Sequence, residues 1–250
     1  MYLHDLKWPD IAALSRDVPV VVPIASLEQH GRHLPLGSAG MITSEIVRRA
    51  EKQMPKSILV LPLLWLGHAQ AHADFPGTIS ASPRLYVDLL AGLVENLIAQ
   101  GFRRVMIFNG STGNDPHARQ TVADTKDKYR DRRNLLVLHA NYDDLAVRPW
   151  DTVQSISPKT VRGHACEWQT SMIMRIAPDQ VGDVGQIEAV PLKPSLGPSL
   201  QGLNMRDHSE DGHIGDPRHA SAVKGEVLIQ AYTSEAVGLL EQLLHWRPAA

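Results

Sequence analysis

Short runs of β-branched and apolar residues alternate along the chain with longer stretches whose apolar positions recur at helical spacing. Pro19–Ile24, Ile58–Leu63, Arg104–Phe108 and Leu135–Ala140 are short and almost continuously apolar, the pattern of strands buried on both faces. Met41–Gln53, Pro83–Gln100 and Asp115–Tyr129 read as helices between them, and Ala220–Trp246 as a closing helix. In the second of these, Leu85, Leu89, Leu93 and Leu97 recur every fourth residue. Leu90 and Val94 widen that stripe, which predicts one face packed on a sheet. Alternation of strands and helices implies a mostly parallel sheet covered on both sides, a three-layer α/β/α sandwich. From about Val181 to Pro217 the period is lost and Gly, Pro and Asn become frequent, which predicts a long loop region that acts as a lid or a subunit contact.

At 250 residues the chain is near the upper limit of one hydrophobic core, and no shift in composition divides it, so residues 1–250 are expected to form one domain. A hydrophobic share of 43% supplies that core, and a formal net charge of -2 offers no basic excess for a phosphate backbone. Nucleic acid is therefore not an expected partner. The apolar runs are much shorter than the roughly 20 residues of a membrane-spanning helix, and the N-terminus has no cationic segment followed by an apolar one. With a single cysteine, Cys166, no internal disulfide can form. A cytoplasmic protein is the expectation.

Histidine changes the picture. There are 12, many beside Gly, Asn or carboxylates rather than in helical surface patterns, which points to metal or acid–base chemistry. The first strand runs into Ser26-Leu-Glu-Gln-His-Gly-Arg-His-Leu-Pro-Leu-Gly37 and the third into Asn109-Gly-Ser-Thr-Gly-Asn114, just ahead of a helix. Ligands of open α/β sheets sit at such carboxyl-end loops. Glu28 and His30, two apart at a strand exit, point to one side in extended backbone and make half of a divalent metal site. The alternative for such a pair is a structural salt bridge or cap. The segment Gly67–Thr78 is a candidate pocket wall with His72 and Asp74 in reach of a substrate, or a capped turn. The free N–H groups of the Asn109–Asn114 turn are candidates for holding an oxyanion. Cys166 reads as buried and inert, and Trp150 and Trp168 as pocket walls or core.

Taken in order, Glu28-Gln-His-Gly-Arg-His-Leu-Pro-Leu-Gly37, Phe75-Pro-Gly-Thr78, Asn109-Gly-Ser-Thr-Gly-Asn114, His164-Ala-Cys-Glu-Trp-Gln-Thr-Ser171 and Gly215-Asp-Pro217 resemble the creatininase family along nearly the whole chain. The resemblance implies an α/β fold, a homohexamer, and hydrolysis of C–N bonds in small cyclic amides, formamides or other small amides with one or two divalent ions, zinc or manganese. It assigns Glu28, His30 and Glu167 as metal ligands. Two further ligands of the family pattern are missing: Ala39 stands in place of a bridging Asp, and Ser111 in place of a His. In addition, Gln169 replaces a usual Glu and Thr112 a usual Gly.

On this resemblance one ion keeps only Glu28, and the other keeps His30 and Glu167, so at most one ion per chain is expected unless His33, His68 or His72 joins. The reading makes Glu167, His72 and His33 the catalytic candidates, with Glu167 or His72 moving protons. Ser111, Asn114, Trp168 and Asp74 are the candidates for binding a small-molecule substrate. Two other readings stand beside this amidohydrolase. One is a catalytically silent chain that keeps the fold and serves an intact paralogous subunit. The other is a metal-free enzyme or small-molecule binder that reuses the pocket.

Overall fold

Four strands, β1 (Val20–Ile24), β2 (Leu59–Val60), β3 (Arg104–Asn109) and β4 (Leu136–Asn141), pair in parallel in the order β2-β1-β3-β4. The computed structural model describes residues 1–145, 163–191, 193 and 202–248. Its helices are α1 (Trp8–Ala13), α2 (Ser38–Gln53), α3 (Pro83–Ala99), α4 (Asp115–Lys128), α5 (Tyr142–Leu145), α6 (Glu167–Ile176), α7 (Met205–His208) and α8 (Ala222–His245). Side chains alternate across the strands as the pleat requires. Val20, Val22, Ile24, Val105 and Ile107 pack with α3 and α4, whereas Val21, Met106 and Phe108 pack with α2, α6 and α8. Two cores with one sheet between them make the three-layer α/β/α sandwich expected from the alternation.

Two differences from the predicted elements have local causes. β2 is shorter than Ile58–Leu63 because Pro62 has no N–H to donate; Leu61 N still donates to Val21 O, and pairing resumes where Leu64 N donates to Pro23 O. In α3 the buried face is Tyr86, Leu90, Val94, Leu97 and Ile98, and Leu85 and Leu89 are 55% and 36% exposed. Tyr86, Leu90, Val94 and Leu97 also recur at helical spacing, so the leucines alone place the buried stripe about one position off.

The strand order sets the position of the site. β1 connects through α2 to β2 on one side, and β3 lies on its other side, so the segments leaving the carboxyl ends of β1 and β3 diverge. That divergence is the crevice in which open α/β sheets hold ligands. α2 begins at Ser38, three residues before the predicted Met41, and this takes the buried Ala39 into its first turn. Among the described residues no helix is long and apolar enough to cross a membrane.

Candidate active site

The loop after β1 carries the first two groups. Glu28 N donates to Leu36 O and His30 bridges to Leu34, which folds the loop back on itself through Gly31 at φ 65°. A Cβ at Gly31 would lie 3.0 Å from His33 Nδ1 and 3.2 Å from His213 Cβ, so a side chain there would be crowded as well as strained by the positive φ. The third group is His164, which comes from the turn ahead of α6. Ala165 in that turn takes φ 51°, a conformation unfavourable for a residue with a Cβ. Gln169 holds it, its Oε1 accepting from Ala165 N at 2.5 Å. Glu28, His30 and His164 each bring one ligand atom within 4.8 Å of the others.

Hydrogen bonds fix which ring nitrogens are free. His30 Nδ1 lies 3.0 Å from Glu28 O and His164 Nε2 lies 2.7 Å from Gln29 O. A carbonyl oxygen only accepts, so both nitrogens carry protons, and His30 Nε2 and His164 Nδ1 keep lone pairs. His30 Nε2 is fully buried with no hydrogen-bond partner. Burial pushes the Glu28 carboxyl up to about 8, and it holds the His30 imidazole well below its usual range. Burial likewise lowers His164 to about 4 and His72 to about 3, with His164 adding to the effect on His72. These rings sit close together, with centroids 4.5 Å apart for His30 and His164 and 4.4 Å for His72 and His164. Neutral imidazoles beside a buried carboxyl are a donor set for a cation, which would displace the carboxyl proton.

A cleft of about 290 Å³ opens on this group, lined by Glu28, His72 and His164 together with Tyr142, Trp168 and Ile214. Trp168 both lines the cleft and belongs to the core, packed on Tyr142 and Tyr232 at centroid distances of 6.1 and 6.2 Å. Ser111 also lines it, but its Oγ accepts from Ser26 N at 2.9 Å, a structural bond. Asn114 is fully buried and is used internally, its Oδ1 accepting from His68 N at 2.7 Å and from Ser26 Oγ at 3.2 Å. Asp74 is exposed and does not line the cleft. The structure puts His164, and not Glu167, beside Glu28 and His30. Glu167 opens α6 and pairs with Lys224 Nζ at 2.5 Å, because the turn that aims His164 inward leaves Glu167 facing α8.

His33, a catalytic candidate from the sequence, does not line the cleft; its Nε2 lies 2.9 Å from Thr170 Oγ1, and burial lowers its pKa to about 4. The oxyanion role expected of the turn after β3 loses most of its donors. Gly110 N donates to Ile24 O, Ser111 N to Asn109 Oδ1 and Asn114 N to Ser111 O. Cys166 is buried and its thiol is pushed up to about 11, as expected of an inert residue. Trp150 lies outside the described residues.

Two imidazoles and one carboxylate form the ligand set of catalytic zinc sites that keep a further position open. The unpartnered buried His30 Nε2 and the raised Glu28 carboxyl fit one divalent ion. A second ion does not fit equally well. Ala39 has no donor, and the Ser111 hydroxyl is a neutral oxygen already in a hydrogen bond.

A family model described as creatinine amidohydrolase matches residues 4–240. The mycofactocin precursor peptide peptidase of Mycolicibacterium smegmatis is 26% identical over 235 residues, covering 92% of this chain and 85% of that protein. The creatinine amidohydrolase of Pseudomonas putida is 21% identical over 254 residues, covering 92% of each. A solved mutant creatininase complexed with creatine superposes with a TM-score of 0.85 at 19% identity, covering 98% of this chain and 99% of that one. Other solved creatininases of this fold are described as a Zn-Zn type and as a Mn form.

Proposed function

We propose that this chain, which belongs to the creatininase family over residues 4–240, is an amidohydrolase that cleaves a C–N bond in a small amide or short peptide and works with a single-ion version of the family's centre. The observation that carries the reading is the Glu28, His30 and His164 group, in which a buried imidazole nitrogen has no partner. Glu28, His30 and His164 would hold zinc or manganese, and such an ion, when bound, supplies Lewis acidity toward a carbonyl and lowers the pKa of water. The rest falls to the chain's own residues. His72 lines the same cleft as a neutral ring whose N–H is able to give a hydrogen bond to a substrate. Trp168, Tyr142 and Ile214 exclude water and hold the apolar part of a substrate.

The relatives differ in the bond their names imply. One is named a peptide peptidase and the other a creatinine amidohydrolase. The same proposal includes a homo-oligomer, with the hexamer as the expected form, whose contacts would cover Trp8 and Val223, 81% and 76% exposed in the single chain. The test is metal content with activity: plasma mass spectrometry after dialysis, then hydrolysis of a panel of lactams, formamides and short peptides. One ion per chain is expected, falling to none in His30→Ala and in His164→Ala, with hydrolysis lost in parallel. No retained ion in the folded parent would sink the single-ion reading. A retained ion without hydrolysis of any panel member would favour a silent chain.

A further inference from the structure

Gln29 lies between the two metal-ligand candidates of its loop but is not itself a ligand, and it is 4% exposed. Its side chain meets three groups. Oε1 accepts from Gly31 N at 2.8 Å, and Nε2 lies 2.8 Å from both Gly212 O and His72 Nδ1. The amide's orientation is decided by the backbone. Gly31 N–H can only donate, so the atom beside it is the oxygen, and Gly212 C=O can only accept, so the atom beside it is the nitrogen. The group facing His72 is therefore an NH2 donor, and His72 Nδ1 must accept.

That bond selects a tautomer. A neutral imidazole with a lone pair on Nδ1 carries its proton on Nε2, so His72 keeps an N–H on its other edge. The same residue sets a second ring through its main chain, because Gln29 O accepts from His164 Nε2 and leaves His164 Nδ1 as the lone pair toward Glu28 and His30. Gly212, at φ 78°, belongs to the loop that brings Ile214 to the cleft, and a Cβ there would collide with Gln29 Oε1. One buried amide thus fits between the ligand loop, the His72 segment and the loop covering the cleft.

We infer that Gln29 is a positioning residue that holds His72 as the Nε2–H tautomer, the form able to donate to a substrate in the cleft. The inference rests on the hydrolase reading for its catalytic meaning, but the tautomer itself can be read without any substrate. Gln29→Glu is close to isosteric and reverses the hydrogen bond, since a carboxylate oxygen accepts from Nδ1–H. Gln29→Leu removes the donor without adding a charge.

The measurement is 15N NMR of histidine-labelled protein at neutral pH, with His72→Phe to identify the resonances. The parent should show a pyridine-type Nδ1 and a pyrrole-type Nε2 for His72. In Gln29→Glu the pattern should invert or become doubly protonated, and in Gln29→Leu the two tautomers should mix. Where a substrate is in hand, kcat should fall about 10–100-fold in Gln29→Glu, the usual size of an outer-sphere loss, with KM little changed. A parent His72 already protonated on Nδ1 would overturn the inference. So would an unchanged His72 pattern in Gln29→Glu or, where that variant does not fold, in Gln29→Leu. A tautomer change in a protein that hydrolyses nothing would support the positioning role and count against the hydrolase reading.

Discussion

The loop after β1 and the turn after β3 leave neighbouring strands at the same edge of the sheet, and they treat their polar atoms in opposite ways. After β3, Asn109 Nδ2 donates to Ser111 O at 2.8 Å and to Asn141 Oδ1 at 2.7 Å, and its Oδ1 accepts from Ser111 N at 3.1 Å and Asn114 Nδ2 at 3.3 Å. Ser111 Oγ and Asn114 Oδ1 are used as well. After β1, His30 Nε2 and His33 Nδ1 are buried with nothing to bind, and the Glu28 carboxyl is raised by burial alone. An unpartnered buried polar atom costs about 1–3 kcal/mol. A fold keeps several in one place where a ligand offsets the cost. The β3 turn meets its polar atoms within the fold, and the β1 loop leaves two ring nitrogens unmet.

The largest expected effect is electrostatic and lies in the β1 loop. The Glu28 carboxyl is lifted from 4.5 to about 8 in the fold. At about 1.4 kcal/mol per pH unit, up to about 5 kcal/mol is at stake. The sign follows from proton uptake: between those values the unfolded chain has released the proton and the folded chain has not. The metal-free protein should therefore be fully stable with respect to this group below pH 4.5 and lose stability as pH rises toward 8. His33 and His164, lowered to about 4, act in the opposite sense, and stability is lost as pH falls from 6.5 through that value. Urea denaturation across pH with chelator present should show the alkaline loss, and Glu28→Gln should flatten it. Added zinc should restore the parent and not the variant. An alkaline limb that Glu28→Gln leaves in place would mean Glu28 is already neutralised and the contrast between the two arms is false.

The next effect tests the other arm. Asn109 is 1% exposed and its side chain makes the bonds that hold the turn after β3. Asn109→Ala leaves Ser111 N and Asn141 Oδ1 short of partners, and about 2–4 kcal/mol of folding stability should be lost. Metal content should not change, because Asn109 offers no atom to the ligand group. If calorimetric metal affinity drops about tenfold or more in a variant that still folds, the turn is not mere scaffold.

What the sequence can reveal divides along the same line. Period and apolar runs locate the strands, the helices and the sheet type, since those depend on local burial that each segment carries in itself. The α3 leucines misplace the buried stripe because two faces of that helix are apolar, and only the sheet's position decides that Tyr86 and Leu90 face inward. The motif order leads to Glu28 and His30, yet it assigns Glu167 where the structure puts His164. That choice depends on the positive φ of Ala165, on Gln169 bracing the turn, and on Lys224 from α8 reaching Glu167, and the last of these lies far away in the chain. A usable signal is present, since His164 opens the same short motif, two residues ahead of the N-cap of α6. Gln29 is legible in the sequence only as part of a motif, because its role comes from Gly212 and His72, which no spacing connects to it.

The smallest effect is the sharpest test of whether a hydroxyl that lines the cleft belongs to the site or to the fold. Ser111 lines the cleft and is 5% exposed, so it has the location of a functional residue. Its hydroxyl oxygen, however, accepts from Ser26 N, one residue past Ala25 at the exit of β1, and so ties the two arms together. Ser111→Ala removes that acceptor and leaves one buried N–H unpaired, and about 1–2 kcal/mol of stability should go with it. Ion content should stay the same and hydrolysis should remain within about threefold, because no ligand and no proton donor is lost. Thermal denaturation with and without zinc separates the outcomes: a structural hydroxyl lowers both transitions equally, and a ligand lowers only the zinc-loaded one. A zinc-specific loss in Ser111→Ala would return Ser111 to the metal centre, and the cleft would then have donors for a second ion.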